Sequence, residues 1–291
     1  MAVLVPYDGS EQSQCALDAA VKTFPDREIT LLHVLEPFAD YSETGGETGV
    51  RYEQLEANAK ALLADAVETL PPETTVETIV RHGRPIHEIV RIAEDGEYSH
   101  IVIGSRGRDG ATRLLLGSVA ETVVRRSPVP VTVVREQSHI CTPEHVLVPF
   151  DGSAESKSAL VSAIEQYPDA EITALYVRYP KSEETSLTSR ATPDVIDEGV
   201  DSTNERPDEI DEQTASVCSM AERTATDAGG SIRTESTDGD PAREIIEFAR
   251  ETTADHIVMG SHGRDGLTRL LLGSVAETVV RRSPTAVTVV R

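Results

Sequence analysis

The stretch "GSRGRDGATRLLLGS" (Gly104 to Ser118) follows a short apolar run, His100 to Ile103. A near copy, "GSHGRDGLTRLLLGS" (Gly260 to Ser274), follows His256 to Met259. The glycines Gly104, Gly107 and Gly117 keep the spacing of Gly260, Gly263 and Gly273. An apolar run too short for a helix, a glycine-bearing loop and an amphipathic segment from Ser118 to Arg126 read as strand, loop and helix. Glycines in such a loop permit positive φ and let backbone N–H groups approach an anion. A helix N-terminus adds unpaired N–H groups and the positive end of its dipole. Gly117 and Ser118 stand at such a terminus, and Ser118 adds a hydroxyl. The pattern predicts a phosphate seat, and predicts it twice.

The duplication extends outward from that stretch. Gly104 to Arg135 and Gly260 to Arg291 differ only at Arg106/His262, Ala111/Leu267, Val129/Thr285 and Pro130/Ala286. "VLVPYDGS" (Val3 to Ser10) matches "VLVPFDGS" (Val146 to Ser153), and "GRPIHEIVRIAED" (Gly83 to Asp95) matches "GDPAREIIEFARE" (Gly239 to Glu251). So long a period means tandem domains rather than a short-repeat solenoid. The expected units are residues 1–135 and 144–291, joined by a linker at 136–143. The second half carries an insertion, 179–213, with eleven acids and three bases. It is expected to be a mobile solvated loop.

Within the first half, apolar runs alternate with amphipathic segments. Strands are expected at 2–6, 29–34, 75–80, 101–104 and 131–134. Helices are expected from Ser10, over 51–70, from Pro85 and over 118–126. Continuous apolar strands between amphipathic helices predict an α/β domain, a parallel sheet covered on both faces. Such a sheet binds ligands beyond the carboxyl ends of its strands, where strand order reverses. If the first and fourth strands are neighbours there, Asp8 and the glycine loop share a crevice. Asp8 could then accept a hydrogen bond from an exocyclic amine or a sugar hydroxyl. That combination suggests a nucleotide. The nine residues between Gly107 and Gly117, with no lysine after Gly117, exclude the usual P-loop and the tight GxGxxG.

Bulk composition narrows the partners. With a formal net charge of −23 over 291 residues, the surface repels phosphates, so nucleic acid and anionic membrane are excluded as partners. Only 4 of the 27 basic residues are lysines, and 4% of residues are aromatic. High acid with few lysines suggests a high-salt, halophilic cytoplasm, where screening relieves self-repulsion. Cys15, Cys141 and Cys218 have no metal-ligand or redox spacing. The start, "MAVLVPYDGS", is no signal peptide, and no apolar run reaches the ~18 residues of a membrane span.

At these residues the sequence resembles the universal stress protein (UspA) family in its tandem, ATP-binding form, and it suggests a halophilic archaeal source. The family's G-x2-G-x9-G-[ST] signature appears twice intact, and its opening V-P-x-D-G-S appears at Val5 to Ser10 and Val148 to Ser153. Its H-V at the end of the second strand is His33-Val34, altered to Tyr176-Val177. Its closing S-P-x-P-V-x-V-V is Ser127 to Val134, with Ala286 departing from it in the second copy. The resemblance implies a five-stranded parallel sheet of order 3-2-1-4-5 in each of two doubly wound, Rossmann-like domains. It implies that Asp8 and Asp151 face adenine, Val34 and Val177 line the base, and Gly104 and Gly260 meet the ribose. Gly107, Gly117 and Ser118, with Gly263, Gly273 and Ser274, would hold phosphates. ATP is the implied ligand, with AMP or ADP as variants, and Mg2+ or Mn2+ would bridge the phosphates. The halves would form an intramolecular pseudo-dimer through their last strands, and two chains could pair further as a homodimer.

Other residues leave alternatives open. Arg106, Arg108 and Arg113 could neutralise phosphates or form a solvated rim; His262 in place of Arg106 would make the sites differ. Asp109 and Asp265 could orient a metal or pair with arginines. His33 and His87 read as structural. Asp240 is a good N-cap and Arg84 is not, which predicts a better-capped third helix in the second half. The expected function is a cytoplasmic, nucleotide-dependent stress-response binding or signalling module. A slow ATPase or adenylating hydrolase, and a ligand-free dimerising scaffold, are the alternatives; no Ser/His/Asp or Cys/His arrangement supports catalysis.

Overall fold

The computed structural model describes residues 1–36, 48–107, 116–135, 142–178, 207–263 and 272–291, with backbone alone at 48–52 and 207–211. The first half runs β1 (Ala2–Pro6), α1 (Glu11–Thr23), β2 (Ile29–Leu35), α2 (Thr48–Glu68), β3 (Val76–His82), α3 (Pro85–Asp95), β4 (Tyr98–Gly104), α4 (Ser118–Arg126) and β5 (Val131–Val134). The second repeats it as β6 (His145–Pro149), α5 (Ala154–Gln166), β7 (Glu171–Arg178), α6 (Pro207–Asp227), β8 (Arg233–Asp238), α7 (Pro241–Glu251), β9 (His256–Gly260), α8 (Ser274–Arg282) and β10 (Ala286–Val290). The fourth strand begins at Tyr98 rather than Ile101, because pairing with β1 starts at the chain's second residue.

All ten strands form one sheet, in the order β3-β2-β1-β4-β5-β10-β9-β6-β7-β8. Each half therefore has the order 3-2-1-4-5, and each is parallel throughout. Order reverses between β1 and β4, where Val3 lies opposite His100 and Leu4 opposite Ile101. The halves join where β5 and β10 pair antiparallel, with Thr132 opposite Thr288. The two sets of strand carboxyl ends consequently point in opposite directions.

Strand alternation assigns each side chain to a face. Leu4, Ile101, Ile103, Val131 and Val133 pack with α3 and α4, in a cluster that continues across the junction to Ile257, Val287, Val289 and helices α7 and α8. On the opposite face the core is split. Val3, Val5 and Val102 pack with α1 and α2, and Val146, Val148 and Val258 with α5 and α6.

The split has a polar cause. Thr132 and Thr288 are buried on that face, with their hydroxyl oxygens 2.6 Å apart. His100 Nε2 lies 2.7 Å from the Thr132 hydroxyl, and His256 Nε2 2.7 Å from that of Thr288. Phe24 packs on His100 and Tyr167 on His256, at ring separations of 4.9 and 5.2 Å. Burial, then the charges of His256 and Arg27, hold His100 down to about 3. Burial holds His256 down to about 4, against an opposing pull from Asp255. Both rings are therefore neutral at pH 7.

Local choices follow ordinary rules. Ser10 and Ser153 cap α1 and α5, each accepting from the backbone N–H three residues on. Asp240 caps α7 by accepting from Arg243 N at 2.9 Å, whereas Arg84 gives α3 no side-chain cap, as the sequence predicts. One expectation is corrected. The acid-rich segment 179–213 is not loop to its end, because α6 begins at Pro207. Proline suits the first helical position, and acids suit a helix N-terminus, so an acid-rich stretch need not be a loop. Residues 179–206 and most of the 136–143 linker lie outside the described residues.

Candidate nucleotide site

The crevice in each half starts with the turn after its first strand. Gly9 adopts φ +81°, a region closed to most side chains, and this bends the chain back over the strand end. Asp8 Oδ1 then accepts from Ser10 N at 3.0 Å and Ser10 Oγ at 2.6 Å, and Ser10 Oγ accepts from Ser13 N at 3.2 Å. Asp151, Gly152 and Ser153 repeat this, with 2.9 and 2.6 Å to Asp151 Oδ1 and 3.1 Å from Ser156 N. The aspartate is thus oriented by the residue that caps the next helix. Its other oxygen, Oδ2, faces the loop after the fourth strand.

That approach explains Gly107. A Cβ at Gly107 would sit 2.6 Å from Asp8 Oδ2, and one at Gly263 would sit 2.8 Å from Asp151 Oδ2. The glycine makes room for the carboxylate as well as for any ligand. Gly104 has a different reason. A Cβ there would lie 2.7 Å from the carbonyl oxygen of Gln12, in the first turn of α1; at Gly260 it would lie 2.8 Å from the backbone of Glu155. The first signature glycine lets a helix cross its strand end, a packing role alongside the ribose contact that the resemblance implies.

The third glycine sets the seat. Gly117 is the N-cap of α4 and Gly273 that of α8, and neither helix has a side-chain cap among the described residues. The first-turn N–H groups have no intrahelical acceptor. Ser118 and Ser274, the first helical residues, are exposed. A backbone relay fixes the seat: Gly117 N donates to Ser105 O at 2.8 Å, and Ser105 N donates to Val134 O at 2.8 Å. In the second half Gly273 N donates to Ser261 O at 2.8 Å, and Ser261 N to Val290 O at 2.9 Å. Both relay serines are buried.

Asp8, Gly104, Gly107, Gly117 and Ser118 are therefore brought to one end of the β1–β4 junction, and Asp151, Gly260, Gly263, Gly273 and Ser274 to the matching place at β6–β9. Val34 and Val177, near the ends of β2 and β7, are half-buried against the shared core. Arg106 is half-buried beside Gly117, whose Cβ would come 3.3 Å from the Arg106 Cα. His262 takes its place, with Nδ1 3.1 Å from the Ser261 hydroxyl and a buried Nε2 that has no hydrogen-bond partner among the described residues. Arg108, Asp109, Arg113 and Asp265 lie outside the described residues. His33 is structural: its buried Nδ1 is 2.7 Å from the Tyr7 carbonyl oxygen.

Sequence reasoning missed two arginines. Arg135 follows β5 and donates to Val280 O at 2.6 Å, at the C-terminus of α8 in the other half. Arg291 follows β10 and donates to Val124 O at 3.0 Å and to Arg125 O, at the C-terminus of α4. Burial lowers the pKa of both, and the neighbouring Arg106 charge adds to the effect at Arg135. The signal available was the shared ending "VTVVR" at Val131 to Arg135 and Val287 to Arg291. Among the described residues, no three His, Cys, Asp or Glu side chains come together as a metal site, and no helix is long and apolar enough to cross a membrane.

The model of the universal stress protein family matches residues 1–135 and 143–291. A universal stress protein of Mycobacterium tuberculosis is 29% identical over 323 residues, covering 99% of this chain and 96% of its own length. The crystal structure of a universal stress protein from Archaeoglobus fulgidus superposes with a TM-score of 0.67 at 25% identity, covering 100% of this chain and 96% of its own. A universal stress protein solved in complex with cAMP is 27% identical, covering 52% of this chain and 98% of its own, with a TM-score of 0.38.

Proposed function

Because the chain belongs to the universal stress protein family, we propose that it binds an adenine nucleotide, ATP first, in two crevices and acts as a nucleotide-dependent stress-response binding or signalling module. The observation that carries this reading is the pairing of an uncapped helix N-terminus with an oriented carboxylate across one glycine, repeated in both halves. The N-termini of α4 and α8 supply donors and positive potential for phosphates, and Ser118 and Ser274 add hydroxyls. Asp8 and Asp151 accept from the adenine amine, and Val34 and Val177 give the base an apolar wall. Arg106 adds charge in the first site, where His262 offers a ring nitrogen in the second. The seat presents N–H and hydroxyl donors rather than a carboxylate cluster, so Mg2+ or Mn2+ would be held mainly by the nucleotide's phosphates and would neutralise their charge.

In this reading, residues 1–135 and 144–291 are the two domains, acting as a pseudo-dimer across β5 and β10 and open to pairing with a second chain. The acidic surface belongs in a salt-rich cytoplasm. The test is calorimetric titration of ATP with Mg2+ in molar KCl, with wild type beside Gly117→Val and Gly273→Val. About two ATP per chain are expected, falling to one with either substitution. A folded chain that takes up no ATP overturns the reading. Phosphate release measured in the same samples separates binding from turnover.

A further inference from the structure

Resting on the nucleotide reading above, we propose that Arg135 and Arg291 are positioning residues that couple the two phosphate seats. Each arginine is rooted beside one seat and holds the far end of the helix that forms the other. Arg135 directly follows Val134, whose carbonyl fixes Ser105, whose carbonyl in turn fixes Gly117 in the first seat. Its guanidinium donates to Val280 O at the C-terminus of α8. The N-terminus of α8 is the second seat. From there the path is repeated in reverse: Gly273 to Ser261, Ser261 to Val290, and Arg291 to Val124 and Arg125 at the C-terminus of α4. The N-terminus of α4 is the first seat. The contacts close a ring through both crevices.

The physics gives the ring a sign. Each helix has nine residues, about 13 Å of rigid rod at 1.5 Å per residue. A phosphate at its N-terminus and an arginine at its C-terminus act on opposite ends of one dipole, and both are favourable. A nucleotide that orders α8 from its front also orders the carbonyl that Arg135 holds behind. Arg135 transmits this to Val134 and the relay of the first seat. Filling one seat then lowers the ordering cost of filling the other, which is positive coupling. The surface ion pair of Arg125 with Glu277, 3.5 Å apart and about a third exposed on both sides, also bridges α4 and α8. Exposed pairs of this kind contribute little, so the coupling is assigned to the half-buried arginines.

The experiment is the ATP–Mg2+ titration, now read for coupling. In wild type the second ATP binds about fivefold more tightly than the same site does when the other seat is blocked by Gly117→Val or Gly273→Val. Arg135→Met with Arg291→Met removes that ratio while two ATP still bind, and Arg135→Lys with Arg291→Lys keeps part of it. A purely structural role would lower the unfolding temperature without changing the ratio. Two ATP bound independently by wild type overturns the coupling and leaves the nucleotide reading standing. A ratio that survives both methionines overturns the role of the arginines. No ATP bound by folded wild type overturns the nucleotide reading and the coupling with it. If the methionine chain unfolds, the lysine chain and the wild-type ratio still decide.

Discussion

The two crevices are near copies, whereas the rings packed against the seam histidines and the helices around them are not. Both crevices keep Asp-Gly-Ser after the first strand, the same three glycines and the same serine relay. Away from them, Phe24 stands where the second half has Tyr167, and Arg84 where it has Asp240; inside them, Arg106 stands where the second half has His262. The difference separates two kinds of constraint. Within the crevices, the glycines that set the backbone, through a positive φ or a close approach, are identical in both halves. Outside them even such a position can differ, as Gly96 against Thr252 shows, and several positions that tune charge or packing have drifted.

The largest test of that contrast lies at the seam. His100 and His256 are held near 3 and 4 against the ordinary histidine value of 6.5. The unfolded chain therefore binds more protons below pH 6.5, and stability falls as pH drops from 6.5 towards 4. At pH 5 the two rings together should cost about 4 kcal/mol relative to pH 8. Urea unfolding across that range measures it, and His100→Gln should remove about half of the slope. An unchanged slope would locate the acid sensitivity elsewhere.

The next test concerns the positions that did not drift. Gly104→Ala and Gly260→Ala each force a Cβ into helix backbone at 2.7–2.8 Å. Each should destabilise by about 2 kcal/mol, and by similar amounts in the two halves. A cost in one half alone would break the equivalence of the crevices.

How much of this was legible in the sequence depends on which forces leave a local trace. Strands such as Ala2–Pro6 and Val131–Val134, and helix Ser118–Arg126, fall where apolar periodicity places them. The two uncapped helix starts at Gly117 and Gly273 were visible because spaced glycines precede an amphipathic run in both halves. The stronger cap at Asp240 was visible because capping is a local act. What was not legible came from contacts distant in sequence. Arg135 and Val280 are 145 positions apart, and nothing in either segment names the other. Gly104 reads as a ligand glycine from its motif, and only the crossing of α1 reveals its packing role. The start of α6 at Pro207 was hidden because acids signal a solvated loop and a helix N-terminus alike.

The smallest test sharpens the drifted pair. Asp240→Ala should cost about 1 kcal/mol, and Arg84→Asp should gain about 0.5 kcal/mol by adding the missing cap. Thermal unfolding of the two variants, read as opposite shifts, checks it.

The buried contacts at the seam also carry a proton count. Three contacts link two histidines and two threonines across the seam. Three hydrogen bonds need three protons. The two hydroxyls supply two, and an imidazole must supply one more at Nε2. Two bare Nε2 atoms would leave a pair of oxygens or nitrogens in repulsive contact. Between the two threonines only one hydroxyl can donate and the other must accept, so the two sides of the seam take unlike roles. A sequence that repeats itself almost letter for letter around its glycine loops cannot be chemically symmetric on its own axis. The parity of the protons at the seam distinguishes the first half from the second.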